Sequence, residues 1–409
     1  MTSNNVRFDL SPYLIHFFRK LDLDKADVNF TPEDWGPGEI VEDAAVTPLF
    51  LLRNAIRLQR LWATWSMRNG RRTVYGPDPA VCFTDMPIAA FIEAGEARAA
   101  KGEAMSPIAL VLPKDLVHAA GARPVIYGLS TSGQLPSGDG GVPRVMPNSV
   151  LPEAEPYRYV TLGTYGSVDW THEREWRWPY RGDLPKFDDT PPCYGKDLPG
   201  LDLNFPGMGV IVRTKAQARK ILHDVLVLKD QQAKGDFSFV LVGEDIASLS
   251  GLREPSEVQK ALSAAAITLD PFLNMAKSKR DKLIADFDTA IADLDTTKVR
   301  DHGREEGGCW LWLTDATHEI TRALVINDRV RINDQGRYLV ELPLDRDLSL
   351  GKREELTRRL AALLNERHGL TATYHSVLGS FNFDEIPHYS VPPFENRMIF
   401  NFGSDEGDD

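Results

Sequence analysis

The apolar residues of this 409-residue chain come in short runs whose period changes along its length. PYLIHFF (12–18) reads as a short buried strand or the turn leading from one. A polar, acidic loop follows (21–45). Over 47–68, Leu51, Leu52, Ile56, Leu58 and Trp62 line one side of a predicted long helix, with Thr47 as N-cap, Pro48 at the first helical position and Gly70 as its stop. Strands are expected at 80–84 (AVCFT), 107–112 (PIALVL) and 124–127 (PVIY), and a helix over 87–100, opened by Pro87. Residues 129–156 are dense in Gly, Pro and Ser and have no period, which predicts a long loop.

After that loop, TYGSVDWTH looks helical and leads into EREWRWPYR, where Glu173, Glu175 and Arg177 alternate with Arg174, Trp176 and Trp178. That alternation predicts a strand. Further strands are expected at 208–213, near 224–228 (DVLVL) and at 237–242, with a helix around 214–222. Helical patterns at 254–266 and 276–295 mark a change of architecture after about residue 245. The remainder runs through GCWLWLTD (308–315), EITRALVIND (319–328) and RVRINDQGRYLVELPL (329–344) to a helix at 349–369 and a final strand. It predicts a compact α+β unit with Trp310, Trp312, Leu324, Val325 and Leu360 as apolar anchors. The chain therefore divides into 1–248 and 249–409, both α+β, and no internal repeat is visible.

Composition narrows the classes. A hydrophobic share of 42% and a charged share of 26% are those of a globular chain. The net charge of −12 argues against general nucleic-acid binding and leaves room only for a local basic strip. Cys82, Cys193 and Cys309 are scattered without CxxC spacing, so neither a disulfide framework nor a zinc knuckle is written, and a cytoplasmic location is the natural reading. The N-terminus lacks the pattern of a signal peptide, and the longest apolar stretches fall well short of the roughly 20 residues that span a bilayer. A soluble protein is expected, with no membrane partner.

Five features could carry chemistry. His16 sits in an apolar frame, where a histidine is most often satisfied by a backbone carbonyl; alternatively it donates to a ribose hydroxyl, with Phe17 and Phe18 as an aromatic wall. Thr84 ends a strand before Asp85 and Pro87, either as an ordinary helix start or as a hydroxyl beside a ligand. Arg123 and Tyr127 bracket a buried strand. Glu173 and Glu175 share a strand face with Arg177, as a solvated edge or as a carboxylate pair whose pKa values are pushed apart. Arg53, Arg57 and Arg60 recur at helical spacing with no acidic residue nearby in sequence. They form a solvated face or a track for phosphates. No GxGxxG, GxxxxGK[ST], HExxH or GxSxG is present, and the histidines of the C-terminal half lack ligand spacing, so no metal is expected.

Taken in order, LIHFF, VCFTD-x-P, GARPVIYG and E-x-EWR resemble the AbiGi-like abortive-infection proteins of bacterial phage defence, which are similar to ADP-ribosyltransferases such as the DarT-type toxins. The resemblance covers roughly 10–245. It implies an ADP-ribosyltransferase-like mixed or antiparallel β core, NAD as substrate, and transfer to a nucleic-acid or protein acceptor. It implies Glu175 as the catalytic carboxylate and Glu173 as the one orienting the acceptor. His16, Phe17, Thr84, Arg123 and Tyr127 would contact NAD, and Arg53, Arg57 and Arg60 a nucleic acid. Cys82-Phe83-Thr84 departs from the usual Ser-x-Ser of the second strand, and Phe18 stands where a Thr is typical. AbiGi-like proteins are also described as antitoxins, so the alternative is a non-catalytic module that keeps the fold and binds a cognate toxin or nucleic acid. The 249–409 unit is then a sensing or partner-binding domain.

Overall fold

The computed structural model of the chain describes residues 10–22, 45–68, 71–102, 105–129, 149, 151–152, 154–162, 170–183, 199–246, 252, 254–294, 299 and 303–389. Most of the acidic loop at 21–45, Gly70, Cys193 and most of the loop expected at 129–156 lie outside them, as does the acidic C-terminus. The chain forms two compact units. One holds the residues up to Ala218 together with Lys234–Ile267; the other holds Arg219–Ala233 and the described residues from Thr268 on. The expected boundary at 248/249 thus shifts to 267/268, and a segment expected in the first unit belongs to the second.

In the first unit, the apolar run forms β1 (Tyr13–Arg19), and β2 (Leu21–Asp22) pairs with β3 (Ala45–Val46). Helix α1 (Pro48–Leu58) starts as expected, with the Thr47 hydroxyl accepting from the Phe50 amide at 3.2 Å. It stops eleven residues in, not at 68, because Gln59 turns left-handed at φ 52°. From there the period is two: Leu61, Ala63 and Trp65 are buried while Trp62, Thr64 and Ser66 are less so, which is strand burial. β4 (Arg60–Trp62) and β5 (Met67–Arg68) replace the second half of the expected helix, and β6 (Arg71–Arg72) pairs with β5. Arg60 therefore does not share a helix face with Arg53 and Arg57.

The next elements follow the sequence closely: β7 (Ala80–Thr84), α2 (Ile88–Ala99) and β8 (Met105–Pro113). Then come α3 (Lys114–Ala119), β9 (Arg123–Pro124) and β10 (Ile126–Leu129), the last parallel to β11 (Tyr159–Leu162). β12 (Glu175–Pro179) is the charged strand, and β13 (Gly200–Asp202) pairs with β4. β14 (Met208–Val212), α4 (Lys215–Asp230), β15 (Phe237–Val242), α5 (Pro255–Ala264) and β16 (Ala266–Thr268) follow. The strand expected at 224–228 is the body of α4. Ile221, Leu222, Val225 and Leu226 are buried at helical spacing, and a short Val/Leu run does not by itself tell helix from buried strand.

Eight strands of the first unit make one mixed sheet in the order β16-β15-β14-β8-β1-β7-β12-β9, with β14 and β15 parallel. Phe91 and Ile92 of α2, with Met86, pack on Ile15, Ala109, Val111 and Ile211 of its central strands to form a core. The second unit adds α6 (Asp270–Leu273), α7 (Lys277–Ala292), β17 (Gly307–Leu313), α8 (Glu319–Ile326), β18 (Arg331–Ile332), β19 (Tyr338–Glu341), α9 (Leu350–His368) and β20 (Ala372–Leu378). Its sheet is antiparallel in the order β18-β19-β17-β20. Leu311, Leu313, Tyr338 and Val340 pack against Leu226, Phe287, Leu324 and Leu360 of four helices. Of the expected anchors, Leu324 and Leu360 lie in this core with Val325 at its margin, whereas Trp310 and Trp312 belong to a second cluster with Leu339 and Val377.

Candidate functional site

Three strands that are far apart in sequence lie side by side, in the order β1-β7-β12. Ile15 is in register with Thr84, and Thr84 with Glu175. Two strand spacings separate the main chains of Ile15 and Glu175, about 10 Å. Because side chains alternate across a sheet, Thr84, Cys82, Glu175 and Arg177 share one face, with Ile15 and Phe17 beside them.

On that face Glu175 and Arg177 close a bidentate ion pair, Nε to Oε1 at 2.7 Å and Nη2 to Oε2 at 3.2 Å. The guanidinium is buried and donates also to the Tyr157 carbonyl at 2.7 Å. Burial works against the Arg177 charge, but the Glu175 carboxylate outweighs it and holds the pKa above the ordinary arginine value. Cys82 lies against both partners. Burial first, and the Glu175 charge second, push its thiol up to about 12, which disfavours the thiolate near pH 7. Tyr127 receives a main-chain hydrogen bond from Glu175, while burial raises its own pKa.

Glu173 is brought to the same place by a kink. It ends a 3-10 turn (Trp170–Glu173), Arg174 is left-handed at φ 48°, and β12 begins at Glu175. The Thr84 hydroxyl donates to the Glu173 carbonyl at 2.6 Å and accepts from the Met86 amide at 3.2 Å. The Glu173 carboxylate takes a hydrogen bond from Arg98 of α2 at 2.8 Å. A kink, rather than an unbroken strand, joins the two acidic residues, and their carboxylates have different partners: Glu173 is paired with Arg98 and Glu175 with Arg177.

The remaining expected contacts divide. His16 is one position beyond Ile15 and so stands on the opposite face from Thr84 and Glu175, level with Phe83, whose ring is 5.9 Å away. Its Nδ1 donates to the Cys82 carbonyl at 2.8 Å, and burial, opposed by that bond, pushes its pKa down to about 4. It is the carbonyl-satisfied core histidine, neutral near pH 7. Phe17 shares the Glu175 face but packs on Phe91 at 6.0 Å, within the α2 core. Arg123 is in register with Arg177, and its Nη1 donates to the His118 and Ala122 carbonyls. Of the arginine series, Arg53 is buried, Arg57 is half-buried and Arg60 is paired with Asp202 across β4 and β13. An open basic helix face is not formed by these three; α1 faces the sheet with Arg53 inward.

One group was hidden in the DMP helix start. Asp85 is buried, with Oδ2 2.5 Å from Lys114 Nζ and 3.8 Å from Arg174 Nη2. Lys114 also lies 5.1 Å from the Trp176 ring. These residues occupy the other face of the same strands. Only the position of Asp85, one past a strand-ending Thr, signals it in the sequence. Among the described residues no cluster of His, Cys, Asp and Glu could hold a metal ion, and no helix is long and apolar enough to cross a membrane.

A family model described as "Protein of unknown function (DUF4427)" matches residues 275–402, of which the described residues lie in the second unit. No curated protein and no solved structure matches the chain.

Proposed function

We propose that this protein is an ADP-ribosyltransferase-like effector of bacterial anti-phage defence, with NAD as substrate and a nucleic acid or protein as acceptor. The observation that carries the reading is the strand order β1-β7-β12, with Thr84 directly beside Glu175 and Glu173 at the kink. These are the histidine-bearing, hydroxyl-bearing and acidic strands that the sequence resemblance requires as neighbours. In this reading the nicotinamide–ribose bond of NAD breaks with nicotinamide as leaving group. The Glu175 carboxylate stabilises the positive charge that develops on the ribose. The acceptor then attacks the same carbon and gives up its proton, with Glu173 as base. Arg177 holds the Glu175 carboxylate still through its two hydrogen bonds, and Tyr127 flanks it. His16 enters only through β1, as a strand-locking residue.

A second reading has its own observation. The Glu175 carboxylate is already engaged by two nitrogens of a buried guanidinium, as a structural ion pair would be. That favours a binding module that keeps the fold without turnover. Purified protein incubated with a biotin-tagged NAD analogue and cell extract decides between the two. The effector labels nucleic acid or protein and releases nicotinamide. Glu175→Gln abolishes both while its melting curve still shows a folded chain. Absence of labelling and of NAD consumption by the wild-type protein overturns the enzymatic reading.

A further inference from the structure

The two most deeply buried arginines among the described residues are paired with carboxylates. Arg177 holds Glu175. Arg322, 2% exposed, holds Asp230 with two hydrogen bonds of 2.6 and 2.9 Å and donates from Nε to the Phe272 carbonyl. Arg337 breaks the pattern. It is 9% exposed, and no carboxylate touches it among the described residues. Its Nη1 reaches His375 Nδ1 at 3.5 Å, and its Nε–H is buried without an acceptor. A guanidinium taken out of water without an anion is the costly arrangement that buried ion pairs normally avoid.

The surroundings hold Arg337 in place instead of neutralising it. Its amide donates to Asn333 Oδ1 at 2.8 Å, closing the Asn333–Arg337 turn ahead of β19. Its guanidinium lies over the Trp312 ring, 4.9 Å from the centroid. His375, fully buried on β20, donates from Nε2 to the Phe383 carbonyl at 3.1 Å, so its Nδ1 faces Arg337 as an acceptor and the ring is uncharged. The Phe383 carbonyl also accepts from Asn333, and the Phe383 ring meets Trp310 at 6.0 Å. Residues 381–389 thus form a strap over the Trp310–Trp312 side of this sheet. Burial lowers the Arg337 pKa, opposed only by Tyr389.

We propose that Arg337 anchors an oxyanion-binding site in the second unit, which takes a small molecule bearing a carboxylate or phosphate on the Nε edge of the guanidinium, beneath the strap. That edge presents two parallel N–H groups, the fork that planar oxyanions fit. Arg177 offers the same edge to Glu175 within this protein, with Nε and Nη2 as the two donors. The site is independent of any NAD chemistry in the first unit.

Tryptophan fluorescence and thermal melting of the full chain, titrated with sodium phosphate or sodium acetate against sodium chloride at matched ionic strength, test it. The wild-type protein is expected to show a saturable fluorescence change and a rising melting temperature with phosphate, acetate or both, and not with chloride. A response to phosphate alone assigns a phosphorylated ligand, and a response to acetate alone a carboxylate. Arg337→Met should lose the saturable response. Should that variant not fold, Arg337→Lys, which keeps the charge and loses the fork, should weaken it. Identical titrations with all three salts, or an unchanged response in a folded Arg337 variant, overturn the proposal.

Discussion

Single residues in this protein are most informative where charge is buried. Removing either partner of the Glu175–Arg177 pair leaves the other uncompensated, so Glu175→Gln and Arg177→Met should each destabilise by about 3 kcal/mol. The double variant should lose much less than the two losses combined. Urea unfolding of all four proteins measures this, and strict additivity would show that the pair is not coupled. Folded His16 has a pKa near 4 against an ordinary 6.5, so below pH 6.5 the unfolded chain takes up a proton that the folded chain refuses until about pH 4. Stability is therefore lost as the pH falls through that window, about 2 kcal/mol between pH 7 and 5 from this residue. His16→Gln, which can still donate to the Cys82 carbonyl, should flatten the pH dependence of the melting temperature. The sequence shows why some of these residues were legible and others not. Glu173, Glu175 and Arg177 stand out by alternation, and Thr84 by ending a strand. The face of His16 depends on a register that only the strand partner sets, since one step along a strand reverses it.

Elements are legible in the sequence where a cap or a long period marks them. Thr47-Pro48 opens α1 where expected, and α9 fills its predicted span between the Ser349 cap and Gly369. Two segments differ from the expected elements for one reason: their apolar residues suit either period. Leu61 and Trp65 continue the helical stripe of α1 as easily as they alternate in β4 and beyond, and DVLVL fits a strand or the buried side of α4. In the first case the break is carried by Gln59, a residue with no sequence signature of a stop. Its left-handed backbone costs a side chain what it does not cost glycine, so Gln59→Gly should stabilise by roughly 0.5–1 kcal/mol. Gly369 is the converse. Nothing lies within 4 Å of a Cβ built there, so Gly369→Ala should cost about 1 kcal/mol through its φ of 68° alone. Chemical denaturation of both variants reads the two signs; equal signs would contradict the account.

At the scale of the whole molecule, the C-terminal unit depends on a helix that precedes it by a long stretch of chain. Leu226 lies in its core, and Asp230 accepts from Arg322 and from the Tyr338 hydroxyl at 2.7 Å. The 249–409 fragment that the sequence suggests as self-sufficient would leave Arg322 without its carboxylate and the Tyr338 hydroxyl without its acceptor. It should give no cooperative melt by itself. Residues 268–409 should recover one when a synthetic 215–233 helix is added. Cooperative melting of 249–409 without that helix would show that the core closes without α4. No local pattern announces this dependence, because Asp230 is one acid among the 59 acidic residues of the chain and its partners come about 90 and 110 positions later.

The interleaving of the two units also sets an order of events during synthesis. The ribosome releases α4 before β15, which the first sheet needs, and well before β17, β19 and α8, which α4 itself needs. For that interval a helix with buried apolar positions and an Asp meant for Arg322 has no native partner, and the first sheet can be completed before one appears. A stop codon between 234 and 320 would leave α4 in that condition permanently. Neither unit can be moved by recombination as an uninterrupted cassette, so the two are expected to be inherited together.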